Sequence, residues 1–326
     1  MSLRDLHESL GVTWRIQGVQ KIPWSYGAVE TELEALQYGS ALLDFSEYGL
    51  VELRGLDRQD FLHNQCTSEI RQMPGGTWLE TVFLNNRGQI EHTGLVLNFG
   101  EPLWISSPTA SRLAHRFRKY IVFDQVEVNE LEGWLTLRLQ GSKAGEVAGR
   151  LGQIPPRWGI SKTRALIMTR DEFGLWLFVA ADQAHLFSRM LLESGATLAG
   201  REAWQIWRVE RGQADLPEAL GELPQEVGWD DRVSYKKGCY LGQEIMARLE
   251  ARGNPRYQLM GLLGQKEIPT GAEVFREGKR VGKVGTAVES PKLGAVALAL
   301  LRKELAPGDQ VQIEGWSATV SALPMQ

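Results

Sequence analysis

A chain of 326 residues exceeds the length at which one hydrophobic core usually stops growing, so two or more packed units are expected, and 43% apolar with 23% charged residues is an ordinary globular balance. The formal net charge of −4 disfavours direct, sequence-independent nucleic-acid binding, which needs a basic field. With only Cys66 and Cys239, a disulfide framework is excluded, as is a cluster ligated by four cysteines of this chain.

In chain order, Leu3, Leu6, His7 and Leu10 recur at helical spacing. The ten residues that hold them lack the apolar core of a signal peptide. A second helix is predicted over 32–38, stopped by Gly39, and a strand over 48–54. The turn Gly55-Leu56-Asp57 follows, with Asp57 placed as N-cap of a helix carrying Phe61, Leu62 and Gln65. His63 and Cys66, three apart on that helix, lack further ligands at metal spacing and are expected to pack in the core.

Strands over 78–84 and 90–97 read as a hairpin around Asn85-Asn86-Arg87-Gly88, with another strand over 103–106. Thr109 begins a helix to Tyr120, a strand is predicted over 121–128, and further strands over 134–139, 164–168 and 175–179. Strands and helices mixed in this way, without strict alternation, indicate an α+β fold. Residues 213–240 carry no sustained periodicity, although Leu216, Leu220, Val227, Trp229 and Tyr235 offer apolar anchors, so a long functional loop is expected there. After Gly253-Asn254-Pro255, short alternating runs at 257–263, 280–288, 295–301, 310–313 and 318–323 predict a small β-barrel. The longest apolar run, 293–301, falls short of the roughly 20 residues of a membrane helix, and the cytoplasm is the expected compartment.

Two places concentrate chemistry. The helix over 201–211 sets Ala203, Ile206, Trp207 and Glu210 on one stripe, so a carboxylate points where the apolar face points. Burial unpaired would be costly, and its partner is either Arg208 or a loop arginine, or a bound heterocycle with adjacent N–H donors. In KKGCYLGQE, Cys239 follows two lysines and precedes a helix that begins near Gly242 and carries Gln243 and Glu244; both features favour a thiolate, and a small buried cysteine on a turn accounts equally for the spacing. Arg232, Lys236, Lys237, Arg248, Arg252 and Arg256 form a basic cluster around it, suited to an acidic tail, a phosphate or RNA, or to solvent on a helix face.

These segments resemble the glycine-cleavage T-protein, or GcvT-like, superfamily over nearly the whole chain. The blocks are ALLDFSEYGLVELRGLDRQDFLHNQCTSEI at 41–70, FRKYIVFDQVEV at 117–128, WRVERGQADLP at 207–217, LPQEVGW at 223–229 and AVALALLRKELAPGDQVQI at 295–313. KGCYLGQE at 237–244 is similar to the signature of the YgfZ group within that superfamily. The resemblance implies a GcvT-like folate-binding fold of two intertwined α+β units over 1–252 around a central site, and a C-terminal β-barrel over 255–326. It further implies tetrahydrofolate or a one-carbon derivative as cofactor, Glu210 as the pterin-binding carboxylate, and Cys239 as the reactive or partner-facing thiol. Lys237, Tyr240, Gln243 and Arg248 are the other residues expected at the cofactor. Iron–sulfur enzymes or assembly proteins, including those that thiolate tRNA, are the implied partners. Aminomethyltransferases of the superfamily carry a pair of aspartates where this chain has His92 and Thr93, and neither supplies a permanent anion; Glu91 belongs to the other side of its strand. An aminomethyltransferase and an RNA-binding protein are the two competing readings.

Overall fold

The computed structural model describes residues 2–18, 20–253 and 255–325, without the side chains of 251 and 252. Met1, Asn254 of the predicted turn and the Arg252 side chain of the basic cluster lie outside the described residues. The fold is α+β, with mixed sheets and a closed C-terminal barrel. Among the described residues, no helix is long and apolar enough to cross a membrane.

The chain divides into two compact units and crosses between them repeatedly. The first comprises Met1–His63, Glu69–Thr81 and Thr93–Trp204; the second comprises Asn64–Ser68, Val82–His92 and Gln205–Gln326. The barrel begins at Tyr257, beside the expected 255, whereas the compact unit containing it also takes in Asn64–Ser68, Val82–His92 and the chain from Gln205 onward.

In the first unit, one sheet runs Ile160–Lys162, Leu166–Arg170, Gly174–Ala180, Trp134–Gln140, Ala41–Asp44, Thr197–Leu198. Its core face gathers Leu42, Leu137, Leu139, Leu175 and Leu177, on which the helix Leu3–Ser9 lays Leu3 and Leu6. That helix starts in a capping box, the Asp5 N–H donating to Ser2 Oγ and the Ser2 N–H to Asp5 Oδ2. Strand alternation turns Arg138 to the opposite side, where it forks onto Asp171 at 2.6 and 2.9 Å. The second sheet has the order Thr77–Leu84, Ile90–Asn98, Leu103–Ser107, Gly49–Arg54, Glu127–Leu131. His63 is buried, and its Nδ1 lies 3.0 Å from Oε1 of the half-buried Glu69.

Three local expectations are corrected. The strand predicted over 121–128 is only Glu127–Leu131, because the backbone of Gln125 is engaged by the turn at 55–57 and Val126 N–H turns back to the Asp124 carbonyl. Asp57 keeps its place at the start of the helix Arg58–Gln65, its carbonyl accepting the Phe61 N–H at 2.8 Å, while its carboxylate accepts the Gln125 N–H at 2.7 Å. The loop over 213–240 contains short helical turns, Leu216–Ala219, Pro224–Val227 and Asp230–Arg232. Val227 and Trp229 are buried there, but Leu220, expected as an anchor, is 57% exposed.

In the second unit, the barrel order is Tyr257–Gly264, Gly294–Arg302, Lys279–Ser290, Glu273–Arg276, Gln310–Ile313, Trp316–Ser321, closing on the first strand through Gly261 opposite Ser321. Alternate side chains fill it: Met260, Leu262, Ala295, Ala297, Ala299 and Leu301 point inward. Their neighbours Val296 and Leu298 face outward and pack with Val209 and Met325. The run AVALALL is therefore apolar on both faces because both are covered, and the outer contact seats the end of the helix Arg201–Glu210, which bears the first candidate residue.

Candidate functional site

The helix Arg201–Glu210 buries Ala203, Ile206 and Trp207, as its stripe requires, and ends at the half-buried Glu210. The Ser290 hydroxyl donates to Glu210 Oε1 at 2.6 Å, while Ser290 Oγ accepts the N–H groups of Lys292 and Leu293 at 3.1 and 3.0 Å. Two donors occupy the serine lone pairs, so its one proton is directed to the carboxylate. The Glu210 carbonyl is also held, by the Met325 N–H at 2.7 Å. Among the described residues, Ser290 supplies the one hydrogen bond to the Glu210 side chain, and it occupies a single oxygen.

Arg208 is not that partner. Two residues along a helix is a rotation of about 200°, and its guanidinium instead reaches Glu218 Oε2 at 2.9 Å, the Gln213 carbonyl at 3.2 Å and Thr286 Oγ1. Glu218 completes the junction by accepting the Asp215 and Thr286 N–H groups at 2.9 and 2.7 Å. A signal for this was present in Asp215-Leu216-Pro217-Glu218, a capping box with proline in the first turn.

The segment 236–242 is a turn leading to the helix Gln243–Arg252. Lys237 is buried, its ammonium donating to the carbonyls of Cys66 and Ser68, each at 2.8 Å, and lying 4.9 Å from the Tyr240 ring centre. Tyr240 is packed with Val82, Leu84, Ile90 and Met246, and burial pushes its hydroxyl well above the usual tyrosine range. Gln243 Nε2 lies 3.5 Å from the Lys237 carbonyl. Arg248 is exposed and pairs with Glu244 one turn earlier at 3.2 Å.

Glycine is required at two points here. A Cβ on Gly242, at φ +87°, would stand 2.8 Å from the Asn85 carbonyl, and one on Gly88 would meet Ile245 and Met246. The hairpin tip and the start of the helix thus touch backbone to backbone, leaving Cys239 on the exposed side of the turn while Cys66 is buried.

Lys237, Tyr240 and Gln243 are therefore brought together, Arg248 lies on the outer face of the following helix, and Glu210 is fixed separately to the barrel through Ser290. On the strand Ile90–Asn98, Glu91 is exposed and His92 buried, as alternation predicted, and Thr93 Oγ1 donates to the Thr81 carbonyl at 3.3 Å. A cavity of about 310 Å³, lined by Glu222, Tyr257, Lys283 and Leu300 among others, contains none of the six expected site residues.

The GCVT N-terminal domain model matches residues 3–155, and the glycine cleavage T-protein C-terminal barrel domain model matches residues 258–325. A putative chloroplastic transferase of Arabidopsis thaliana is 28% identical over 325 residues, covering 92% of this chain and 74% of its own length. An aminomethyltransferase of Rubrobacter xylanophilus is 29% identical, with 99% and 92% covered. A tRNA-modifying protein YgfZ of Photobacterium profundum is 27% identical over 289 residues, with 84% and 87% covered. The crystal structure of the glycine cleavage system aminomethyltransferase T from Bartonella henselae superimposes with a TM-score of 0.90 over 99% of this chain and 97% of that one, at 20% identity, a likeness of fold.

Proposed function

As the chain belongs to the GcvT-like superfamily, we propose that it binds a reduced folate through Glu210 and uses the exposed Cys239 in support of iron–sulfur enzymes, in the manner of the YgfZ group. The observation that carries the folate reading is the Glu210 carboxylate, half-buried, fixed by one serine hydroxyl and with its second oxygen left for a donor. That acceptor fits a pterin, whose ring presents adjacent N–H groups to a carboxylate. When bound, a reduced folate supplies ring nitrogens that carry one-carbon units. Tyr240 and Gln243 are assigned to its surroundings, and Lys237 acts by fixing the turn that carries them. Arg248 is assigned to the acidic tail, since an exposed pair such as Arg248–Glu244 is worth little and is readily exchanged.

Cys239 is the side chain assigned to chemistry. Its exposed sulfur is the atom assigned to ligate, briefly, an iron–sulfur species held with a partner protein. A cytoplasmic setting, which keeps thiols reduced, suits this role.

The aminomethyltransferase reading is favoured by the relatives of that name, and opposed by His92 and Thr93 standing where an anionic pair is expected. It requires methylene transfer from a lipoyl carrier to folate, which a transfer assay measures directly. Calorimetry with tetrahydrofolate on the parent, Glu210→Ala and Cys239→Ser proteins tests the folate reading. Loss of a charge-assisted hydrogen bond should weaken Glu210→Ala by at least about 1.5 kcal/mol, with Cys239→Ser unchanged. Equal affinity across the three proteins sinks the pterin site.

A further inference from the structure

Four large apolar side chains crowd one projection of the first unit: Leu56 is 79% exposed, Tyr120 44%, Val122 71% and Phe123 94%. Leu56, Val122 and Phe123 sit on two turns, 55–57 and 121–126, with Tyr120 ending the helix Ala110–Tyr120 just before the second, and these turns are stitched together. The Asp57 N–H donates to the Gln125 carbonyl at 3.3 Å, and the Gln125 N–H returns to Asp57 Oδ2 at 2.7 Å. Gly55, at φ +105°, approaches so closely that a Cβ would lie 2.0 Å from the Gln125 carbonyl oxygen. Arg58 ties the first turn down by donating to the Gly55 carbonyl at 2.8 Å. The apolar tip is thus held in place by backbone contacts, and its display to water is unfavourable in the isolated chain.

Behind the tip runs the helix Ala110–Tyr120, whose exposed face carries Arg112, His115 and Lys119 at spacings of three and four. None of these three makes an ion pair with a carboxylate among the described residues. We propose that this double turn is a docking knob for a protein partner offering an apolar cleft bordered by carboxylates, the cleft taking Val122 and Phe123 and the carboxylates meeting Arg112 and Lys119.

Charge selects this occupant over two others. Asp57, whose carboxylate holds the Gln125 N–H at the base of the tip, and Asp124 would have to enter a membrane interface along with the apolar side chains, at the cost of their hydration. A two-fold pairing of this chain through the same patch would bring the cationic face toward its own copy. All these residues lie in the first unit, so the proposal stands apart from the folate reading.

The test places a benzoylphenylalanine photocrosslinker at Leu56 of the full chain in cells of its source organism. One protein adduct is expected, crosslinked within an apolar cleft rich in Asp and Glu. The purified adduct partner should bind the parent protein, about tenfold more weakly when Phe123 is changed to Ser. Lys119→Glu should weaken binding further and be rescued by Glu→Lys on the partner. Phe123→Ser should melt with the parent, because that ring is almost fully exposed. Adducts with lipid alone, with a second copy alone, or with no protein overturn the proposal, as does a captured partner whose affinity ignores Phe123→Ser.

Discussion

Lys237 donates its ammonium to the carbonyl of Cys66, 171 residues earlier, at 2.8 Å, and to the carbonyl of Ser68 at the same distance. The turn that presents Cys239 is thereby fastened to the end of the helix Arg58–Gln65 and the residues after it. A buried cation serves here as a clamp on backbone acceptors, and its hydrogen bonds repay part of its desolvation.

Replacing Lys237 with Met keeps the length of the side chain and removes those donors. Two buried carbonyls then lose a partner, at about 1–3 kcal/mol each, so urea unfolding should show the variant less stable by about 3 kcal/mol. A change below a few tenths would mean that water replaces the ammonium and that the clamp contributes little.

Ser290→Ala separates the fixing of Glu210 from its charge. The carboxylate keeps its place on the helix but loses the donor at 2.6 Å, and the N–H groups of Lys292 and Leu293 lose their acceptor. Stability should fall by about 1 kcal/mol, and tetrahydrofolate affinity should fall by less than in Glu210→Ala. If Ser290→Ala abolishes binding while Glu210→Ala does not, the pterin contact belongs to the barrel and not to the helix.

Asp44 gives the fold an acid-sensitive contact. Burial pushes its carboxyl up, but His7 Nε2 at 3.0 Å and the Ser46 donors outweigh burial and hold it below the usual aspartate range. A carboxyl that loses its proton more readily folded than unfolded adds stability above the unfolded value of about 3.9. That contribution fades as pH falls through the lower, folded value. Between about pH 5 and 3 the parent should therefore lose more stability than Asp44→Asn, as read from urea midpoints across the range. Parallel curves for the two proteins would remove Asp44 from the acid response.

The two cysteines should differ in reactivity, because Cys239 is exposed and Cys66 is buried. Native protein should take up one equivalent of a thiol-specific alkylating reagent, at Cys239 by peptide mapping, and a second only after unfolding. Labelling of Cys66 at a comparable rate in the native state would show that the segment beneath the Lys237 clamp opens readily.

Much of this architecture is local and was legible in the amino-acid order. Period-two runs marked five of the six barrel strands, and Glu273–Arg276 was missed because a register shift between Val274 and Phe275 sets two apolar residues side by side and breaks the alternation. The stripe of Ala203, Ile206 and Trp207 placed Glu210 at the edge of an apolar face, and Gly242 marked the start of the helix after Cys239. Spacing could not identify the partner of each polar group. Arg208 lies two residues from Glu210 yet bonds Glu218 and Thr286, Ser290 comes from 80 positions away, and Lys237 turns from the thiol to carbonyls near residue 66. Helical and strand periods follow from backbone geometry within a few residues, whereas a buried donor takes whichever acceptor the folded chain brings within 3 Å or so. Sequence alone thus determined most of the barrel strands and the apolar faces of the elements that it marked, and tertiary structure decided which charged side chains hold the fold together and which are left for a ligand or a partner.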